Sequence, residues 1–432
     1  MPQVTTSQLQ RQLGIFGAVM MGLGAMVGTG VFVSIGVATG IAGPAIILAV
    51  ALAAGIAICN GLSSAQLAAS HPVSGGTYEY GYKYLNSWMG FTAGWMFLIA
   101  KSASAATAAL GFAGYLLNAL GFSRGHLIPL ALGAVALFTL IGLGGIRRSN
   151  ITNIAIVSVT LSSLVFFVVI GLPAVSYVNF TPFFAVGTGE SGPLGALFHA
   201  SALMFVAYTG YSRIATLGEE VQDPERTIPK AIIITMLVTM VLYMAVAVVG
   251  IGVVGADTLQ GATEAQAAPL AIAAQQFSIP LSSKILAVGA ITAMLGVLLN
   301  LILGLSRVLL AMGRYRDMPA FFERLNEAET TPYWAVLAVG VIIAGLVLIG
   351  DVKTTWSFSA FTVLIYYALT NLAALRLPSE QRLYPGWVAG SGLMACLFLA
   401  FWVEQQTWLI GGGLVLVGLL WHAMARRWQE TA

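Results

Sequence analysis

The chain has 432 residues, of which 58% are hydrophobic and only 8% are charged, and its formal net charge is +3. A soluble globular domain carries roughly a quarter charged residues, so this composition excludes a soluble protein and indicates one that crosses a membrane many times. Nothing resembles a basic nucleic-acid patch, so we expect membrane lipid and a small molecule as partners and no nucleic acid.

Apolar segments long enough to cross a bilayer, about 17–25 residues or more, follow one another with polar connections between them. The region 1–13 lacks the order of a signal peptide, so we expect it to be a cytoplasmic N-terminus, with 426–432 as a cytoplasmic C-terminus. We predict an all-α polytopic membrane protein with twelve transmembrane helices, at 14–39, 44–68, 88–118, 127–144, 151–173, 194–218, 229–254, 284–313, 333–350, 354–375, 384–403 and 406–425.

The lysines and arginines support this arrangement. With both termini in the cytoplasm, fifteen of the nineteen fall on the inner side, whereas Arg124, Lys284 and Lys353 fall outside and Lys101 lies within a helix. The positive-inside rule favours this orientation. An odd number of helices would scramble the segregation, so it also favours twelve.

The first segment contains a glycine-rich break. Gly22, Gly24, Gly28 and Gly30 fall within nine residues, and this density lets the backbone leave helical dihedrals. Inside a bilayer the freed N–H and C=O groups need partners, so a broken helix persists where it lines a cavity or a ligand. The half-helix that follows begins with unpaired N–H donors and a partial positive charge, which suit a carboxylate. We therefore expect substrate to be bound by Ala25, Met26, Val27, Gly28, Thr29 and Gly30.

A similar break recurs in the sixth segment, at 207–211. A half-helix that ends near Val206 and Ala207 exposes carbonyls at a negative dipole end, which suits an ammonium. Two interrupted helices at matching points are typical of a transporter's binding site, and a ligand with both groups close together is an α-amino acid. We expect Val206, Ala207, Tyr208 and Thr209 to bind substrate. The alternative is that the glycines serve only helix packing.

Four stretches of sequence resemble signatures of one known family. They are Gly24–Phe32, Pro72–Tyr78 followed by Gly94-Trp95, Ala207–Pro229, and Asn300–Pro319. In this order they resemble the amino acid–polyamine–organocation (APC) superfamily of permeases, and most of all its bacterial amino acid permeases.

The resemblance implies a multi-pass protein of the bacterial plasma membrane with a LeuT-like fold and alternating access around a central site. That fold has a five-plus-five inverted repeat in which helices 1 and 6 are discontinuous. It divides the chain into a first repeat at 14–173, a second at 194–376, and two additional C-terminal helices at 384–425.

Three positions depart from the family pattern. Family members commonly have an acidic residue where this chain has Gln66, and an aromatic gate where it has Val206. Several relatives carry a lysine that stands in for a bound sodium ion where this chain has Thr160. Either Tyr208 or Phe205 serves as the gate here, or the gate is looser.

Lys101 is the most unusual charge. It lies about 13 residues into the third helix, roughly 20 Å from its cytoplasmic start, where a lysine costs a few kcal/mol. No Asp or Glu lies mid-helix to pair with it. On the functional interpretation it faces the central cavity, contacts the substrate or a helix-one carbonyl, and exchanges a proton. On the alternative it lies in a hydrated crevice, paired with Glu79, and holds helix three in place.

The coupling ion is left open by the sequence. A sodium site needs several oxygen ligands, and the stretch Ala290–Asn300 offers only Thr292, to which Thr160 could add one oxygen. No buried carboxylate is expected, so the sequence does not support a carboxylate proton relay. Proton coupling through Lys101, facilitated diffusion and exchange remain open. The histidines lack metal-ligand spacing, and we expect neither a metal nor a cofactor.

Three connections are expected to serve conformational change. The tyrosines of Ala69–Asn86 are predicted to pack at the inner gate, and Ala256–Ser283 is predicted to pack back on the bundle as an outer lid. Glu219 and Glu220 are expected to form inner-gate ion pairs with Arg213 and Arg226, or else to be ordinary solvated loop charges.

The sequence therefore favours a secondary transporter of small or medium neutral amino acids, because the expected pocket side chains are small or apolar. Lys101 keeps anionic amino acids in consideration, and a polyamine is less favoured because the cavity lacks carboxylates. A membrane sensor on a transporter fold is the alternative class. An enzyme is not expected, because no catalytic constellation is apparent at depth, and neither is a primary pump, because no phosphate-binding loop exists. The oligomeric state is not predicted.

Overall fold

The structure is a computed structural model that describes residues 13–72, 75–144, 150–184, 192–215, 221–326 and 331–431. Within those ranges it is built from helices, with one isolated β-bridge between Leu13 and Val221, so the predicted all-α class is confirmed. The α-helices are α1 (Ile15–Met26), α2 (Ile35–Ala42), α3 (Ile46–Ser70), α4 (Thr77–Tyr84), α5 (Ser87–Leu120), α6 (Leu127–Leu143), α7 (Asn150–Gly171), α8 (Gly192–Tyr208), α9 (Ser212–Ala215), α10 (Pro224–Val254), α11 (Ala256–Gln266), α12 (Pro269–Ala274), α13 (Ser282–Arg314), α14 (Tyr333–Val347), α15 (Val352–Leu375), α16 (Gly386–Ala400) and α17 (Gln405–Thr431).

The helices are long and apolar enough for a multi-pass membrane protein. In the described part of the chain, eight helical stretches qualify as membrane spans, the first being the 56-residue stretch Ile15–Ser70. Three shorter apolar helices, α6, α14 and α16, accompany them. Each segment predicted from the sequence overlaps one or more of these helices. The count of twelve crossings, the inverted repeat and the orientation stay predictions.

Helix α5 lies at the centre of the bundle and packs against α13 and α15. Its middle is rich in alanine, serine and glycine, and such small residues let membrane helices approach closely. Two hydroxyl pairs join it to α15: Ser104 to Ser359 at 2.7 Å and Thr107 to Thr355 at 2.8 Å. The centre of the molecule is therefore held by close packing and by polar contacts between helices.

The segments 256–283 and 69–86, both predicted as connections between membrane spans, contain short helices. The segment 256–283 packs back on the bundle as predicted, with α11 against α2 and α12 against α13. The segment 69–86, which was predicted as a connection, contains the short helix α4. Gly75 and Gly76, with φ of 141° and 60°, make the turn that precedes it. This turn requires a left-handed backbone, which glycine adopts without strain.

Candidate substrate-binding site at two interrupted helices

The first interruption is at Val27 and Gly28. Helix α1 ends at Met26, Val27 is extended (φ −81°, ψ 93°), and the chain resumes as a π-helical turn over Gly30–Ser34 that leads into α2. The Gly28 carbonyl accepts from the N–H groups of Val31 and Phe32, at 3.1 and 3.2 Å. The N–H groups of Thr29 and Gly30 therefore belong to the first helical turn, where no preceding carbonyl is available to them.

Thr29 adds a side-chain donor at the same place. The residue is only 4% exposed, and its Oγ1 has no hydrogen-bond partner among the described residues. A buried hydroxyl without a partner costs about 1–3 kcal/mol. The start of this half-helix thus presents backbone and hydroxyl donors that a bound anion would satisfy.

The second interruption follows α8. This helix ends at Tyr208, one residue beyond the predicted end near Val206 and Ala207, and a 3₁₀ turn over Thr209–Tyr211 leads into α9. The Thr209 carbonyl accepts from the Tyr367 hydroxyl at 3.0 Å. The Tyr208 hydroxyl is buried and lacks a hydrogen-bond partner in the described part of the chain.

The two interruptions contact each other directly, and two glycines make this possible. A Cβ on Gly30 would lie 2.8 Å from the Cα of Ala207 and closer still to its Cβ, and a Cβ on Gly210 would lie 2.5 Å from the Cγ of Met26. Such distances are well inside carbon–carbon contact at about 3.5–4.0 Å. The structure therefore brings the two sets of predicted substrate residues together.

A tyrosine that sequence reasoning missed bridges both interruptions. The hydroxyl of Tyr243, on α10, lies 2.6 Å from the Met26 carbonyl oxygen and 3.4 Å from the Ala207 carbonyl oxygen. Both carbonyls lie in the last turn of their helices, where carbonyls lack intrahelical donors. The only available signal was a polar-tipped aromatic in an apolar helix, and such residues find hydrogen-bond partners when buried.

Two further aromatic donors were also missed. Tyr115 on α5 donates to the Phe32 carbonyl at 2.7 Å, beside the first interruption. Trp356 on α15 donates through Nε1 to the Leu203 carbonyl at 2.9 Å, one turn before the second. Both side chains are buried and donate to backbone carbonyls beside the interruptions, so they support the broken backbone.

Lys101 lies at the second interruption. Its residue is 7% exposed, and its Nζ donates to the Thr209 Oγ1 at 2.8 Å. Glu79, the partner suggested by the alternative interpretation, instead accepts from the Tyr315 hydroxyl at 2.9 Å. A buried ammonium therefore sits beside the predicted substrate residues.

The coupling candidates Thr160 and Thr292 do not line the same cavity. Thr160 lines a cavity of about 10 Å³ between α1, α7 and α13, together with Val27 and Asn153 and with Leu23, Gly24, Ile156, Val157, Ala293 and Gly296. This volume is about the smallest that can hold one water molecule. Asn153 and Thr160 bring the only side-chain oxygens among these lining residues. Thr292 is not one of them and donates to the Val288 carbonyl at 2.8 Å.

The inner-gate candidates are only partly described. Glu219 and Glu220 lie outside the described residues, so their predicted ion pairs stay a prediction. Arg226 is close to the Asp223 carboxylate at 4.0 Å, and both side chains are largely exposed. Arg213 is half-buried on α9.

The expectation of no buried carboxylate is wrong. Asp317 is 2% exposed and accepts hydrogen bonds from the hydroxyls of Tyr78 and Tyr82, at 2.7 and 2.6 Å. It lies in the polar connection after α13, which a sequence pattern assigns to solvent. It is buried because α4 and α17 both pack against that connection.

Comparisons with known proteins agree with a membrane transporter. The family model for amino acid permeases, within the APC superfamily, matches residues 13–419. The chain therefore belongs to the amino acid permease family. This family membership also confirms that the protein is a transporter and not an enzyme.

Relatives extend over nearly the whole chain. An uncharacterized transporter of Mycobacterium tuberculosis is 36% identical over 435 residues, which cover 98% of this chain and 93% of that protein. The branched-chain amino acid permease BcaP of Bacillus subtilis is 29% identical over 450 residues, covering 97% and 94%. A methylthioribose transporter of Bacillus subtilis is 29% identical over 323 residues, covering 69% and 68%.

Proposed function

We propose that this protein moves small or medium neutral amino acids across the bacterial plasma membrane by alternating access. In this proposal the α-carboxylate binds at the first interruption and the α-ammonium at the second. The twelve-helix arrangement, with its inverted repeat and both termini in the cytoplasm, belongs to the same proposal.

One observation carries the proposal. The buried hydroxyl of Thr29, which has no hydrogen-bond partner among the described residues, stands at the start of a half-helix, and the first N–H groups of a helix lack intrahelical acceptors. A carboxylate at this point would gain charge-assisted hydrogen bonds and a favourable interaction with the helix dipole. The nearby carbonyls of Met26 and Ala207 share the single hydroxyl of Tyr243, which leaves acceptor capacity for an ammonium.

The side chains around the two interruptions favour a neutral substrate. Ala25, Val27, Val206 and Ala207 offer no anion that would select a cationic side chain. The similarity to a branched-chain amino acid permease supports the same class. Leucine, isoleucine and valine are therefore the first substrates to test.

A second candidate substrate class is anionic amino acids, and Lys101 is the observation that favours it. Its ammonium has the neutral Thr209 hydroxyl as its acceptor at 2.8 Å. A buried charge is normally paired, and a substrate carboxylate would pair it. The substitution Lys101→Met distinguishes the two substrate classes. If aspartate and glutamate are substrates, Lys101→Met should abolish their uptake. If they are not, the protein should keep its preference for neutral amino acids. Lys353→Met, which removes an exposed lysine 3.0 Å from Glu404, is the matched control.

We further propose sodium-independent transport, coupled to protons or running as exchange. The cavity beside the first interruption has room for about one water and two side-chain oxygens on its walls. A hard cation needs more oxygen ligands than these.

The test is uptake of a labelled amino acid panel by the purified protein in proteoliposomes, with proton or sodium gradients imposed separately. We expect saturable uptake of neutral amino acids that a sodium gradient does not accelerate. Specific binding with no flux of any amino acid would favour the sensor. Flux that requires sodium would contradict the coupling proposal alone.

A further inference from the structure

Asp317 ties three parts of the molecule together. It follows α13, its Oδ2 accepts from Tyr78 and Tyr82 on α4, and its Oδ1 lies 3.1 Å from the Nδ1 of His422 on α17. Its backbone carbonyl also accepts from the Trp421 indole at 2.8 Å. We refer to Asp317, His422, Tyr78 and Tyr82 as the carboxyl–imidazole cluster.

The cluster is shielded from water. The side chains of His422 and Asp317 are 1% and 3% exposed. The imidazole stacks on Phe91 of α5, with ring centroids 4.6 Å apart, and lies edge-on to Trp88 at 5.0 Å. The separation of 3.1 Å places the carboxyl oxygen and the imidazole nitrogen within reach of one shared proton, and the burial of both side chains restricts the exchange of that proton with water.

The groups facing the cluster come from every element packed against it. Glu79 on α4 accepts a hydrogen bond from the hydroxyl of Tyr315, which follows α13. Arg426 lies one turn beyond His422 on α17. Burial raises the pKa of Tyr315 to about 12 and the pKa values of Tyr78 and Tyr82 higher still. The phenols therefore stay protonated at physiological pH, and those of Tyr78 and Tyr82 donate to the carboxyl of Asp317.

We propose that the carboxyl–imidazole cluster is a proton-binding site that latches α4 and α17 to the end of α13, so that releasing the proton frees this end of the bundle to open. The proposal concerns the coupling and regulation of the transporter and rests on the transport cycle proposed above. In this proposal the ligand of the cluster is a proton, and α17 takes part in the transport cycle.

The direction of the effect follows from burial. Desolvation is the main cause that raises the pKa of Asp317, against the hydrogen bonds from Tyr82 and Tyr78, which lower it. The packed arrangement therefore favours the protonated acid. Opening hydrates the carboxyl, lowers its pKa and releases the proton to water. The latch is thus fully closed at low pH and weakens as the pH rises through the raised pKa of Asp317.

The test uses a cysteine beneath α4 as a reporter of opening. Thr77 on α4 is buried, and its hydroxyl contacts that of Thr370 on α15 at 2.7 Å, so a cysteine there is shielded while α4 is packed. In a background with Cys59→Ala and Cys396→Ala, Thr77→Cys is labelled with a water-soluble maleimide in detergent, without substrate, from about pH 5 to about pH 8. Each rate is divided by that of a cysteine at the exposed Ser123, because the thiolate fraction itself rises with pH. If Thr77→Cys does not fold, Thr370→Cys reports the same contact from α15.

We expect the normalised labelling rate to rise with pH, about tenfold for each unit by which packing raises the pKa of the carboxyl. Asp317→Asn, which mimics the protonated acid, should label slowly at all pH values. Tyr82→Phe removes a donor to the carboxylate and should move the midpoint to higher pH. Tyr84→Phe is the control on the same helix, because its hydroxyl contacts Ser70 at 3.1 Å.

The proposal is overturned if the rate does not depend on pH, or if Asp317→Asn keeps the wild-type profile. Because the labelling needs no substrate, it separates the two proposals. A pH-dependent reporter in a protein that transports no amino acid would contradict the transport proposal and leave the latch standing. Amino acid uptake together with a labelling rate that does not depend on pH would contradict the latch and leave the transport proposal standing.

Discussion

The close approach of the two interrupted helices depends on Gly30, so Gly30→Ala is the most informative single substitution. The added Cβ would lie 2.8 Å from the Cα of Ala207, whereas carbon atoms in contact need at least about 3.5 Å. Both atoms are fixed to backbone, so rotation of a side chain cannot relieve the clash. The two interruptions must therefore separate by about 0.7 Å or more.

The separation should affect both the stability of the protein and its transport rate. Overpacking a membrane core should destabilise the protein by about 1–3 kcal/mol, which leaves it folded. A displacement on the order of 1 Å among positioning groups costs about a hundredfold in rate. We expect amino acid uptake to fall by about 10- to 100-fold while the protein remains monodisperse in detergent.

The assay is initial-rate uptake in proteoliposomes, normalised to the amount of reconstituted protein. Gly55→Ala is the matched control, because a Cβ at Gly55 meets nothing within 4 Å. Adding Ala207→Gly to Gly30→Ala removes one of the colliding atoms and should restore part of the rate. Wild-type uptake by Gly30→Ala would refute the argument that contact between the two interruptions builds the site.

Three further substitutions test other contacts. Thr29→Val should raise the KM for amino acid uptake by about 10- to 100-fold, because it removes a hydrogen bond to a charged group. It should not lower thermal stability. An unchanged KM would count against the carboxylate site. Tyr243→Phe should lower both the Tm and the maximal uptake rate, because the carbonyls of Met26 and Ala207 then lose their donor, at a cost of about 1–3 kcal/mol; unchanged stability would contradict this role. Asn371→Ala removes a buried hydrogen bond between the side chains of Asn371 and Asn60. It should destabilise the protein by about 0.6 kcal/mol, and at most by ~1.7 kcal/mol, without changing the KM. A large effect on the KM would contradict a purely structural role.

The features that could be predicted from the sequence are those with a local physical cause. Dense glycine breaks a helix because of its own backbone freedom, so the interruption at Val27 and Gly28 was placed correctly. Lys101 was recognisable because a charge within a long apolar segment is unusual wherever it points. Its partner Thr209 could not be predicted, because the partner depends on how α5 and α8 are rotated against each other.

The features that were missed depend on tertiary contact. Tyr243 looks like any aromatic of an apolar helix until α10 is packed against both interruptions. Asp317 looks like a solvated loop residue until α4 and α17 cover it. A sequence pattern gives the periodicity of one helix, and it does not give the face that meets a neighbour when nearly all faces are apolar.

The most direct test of the central claim is competition for uptake by substrate analogues that each lack one charged group. The amino acid with the highest uptake rate would be compared with its methyl ester, which has no carboxylate, and with the corresponding carboxylic acid, which has no ammonium. The account predicts that the free amino acid competes and that each analogue is weaker by at least about tenfold, which corresponds to 1.4 kcal/mol. Equal competition by either analogue would contradict a site in which the two interrupted helices bind the two ends of an α-amino acid.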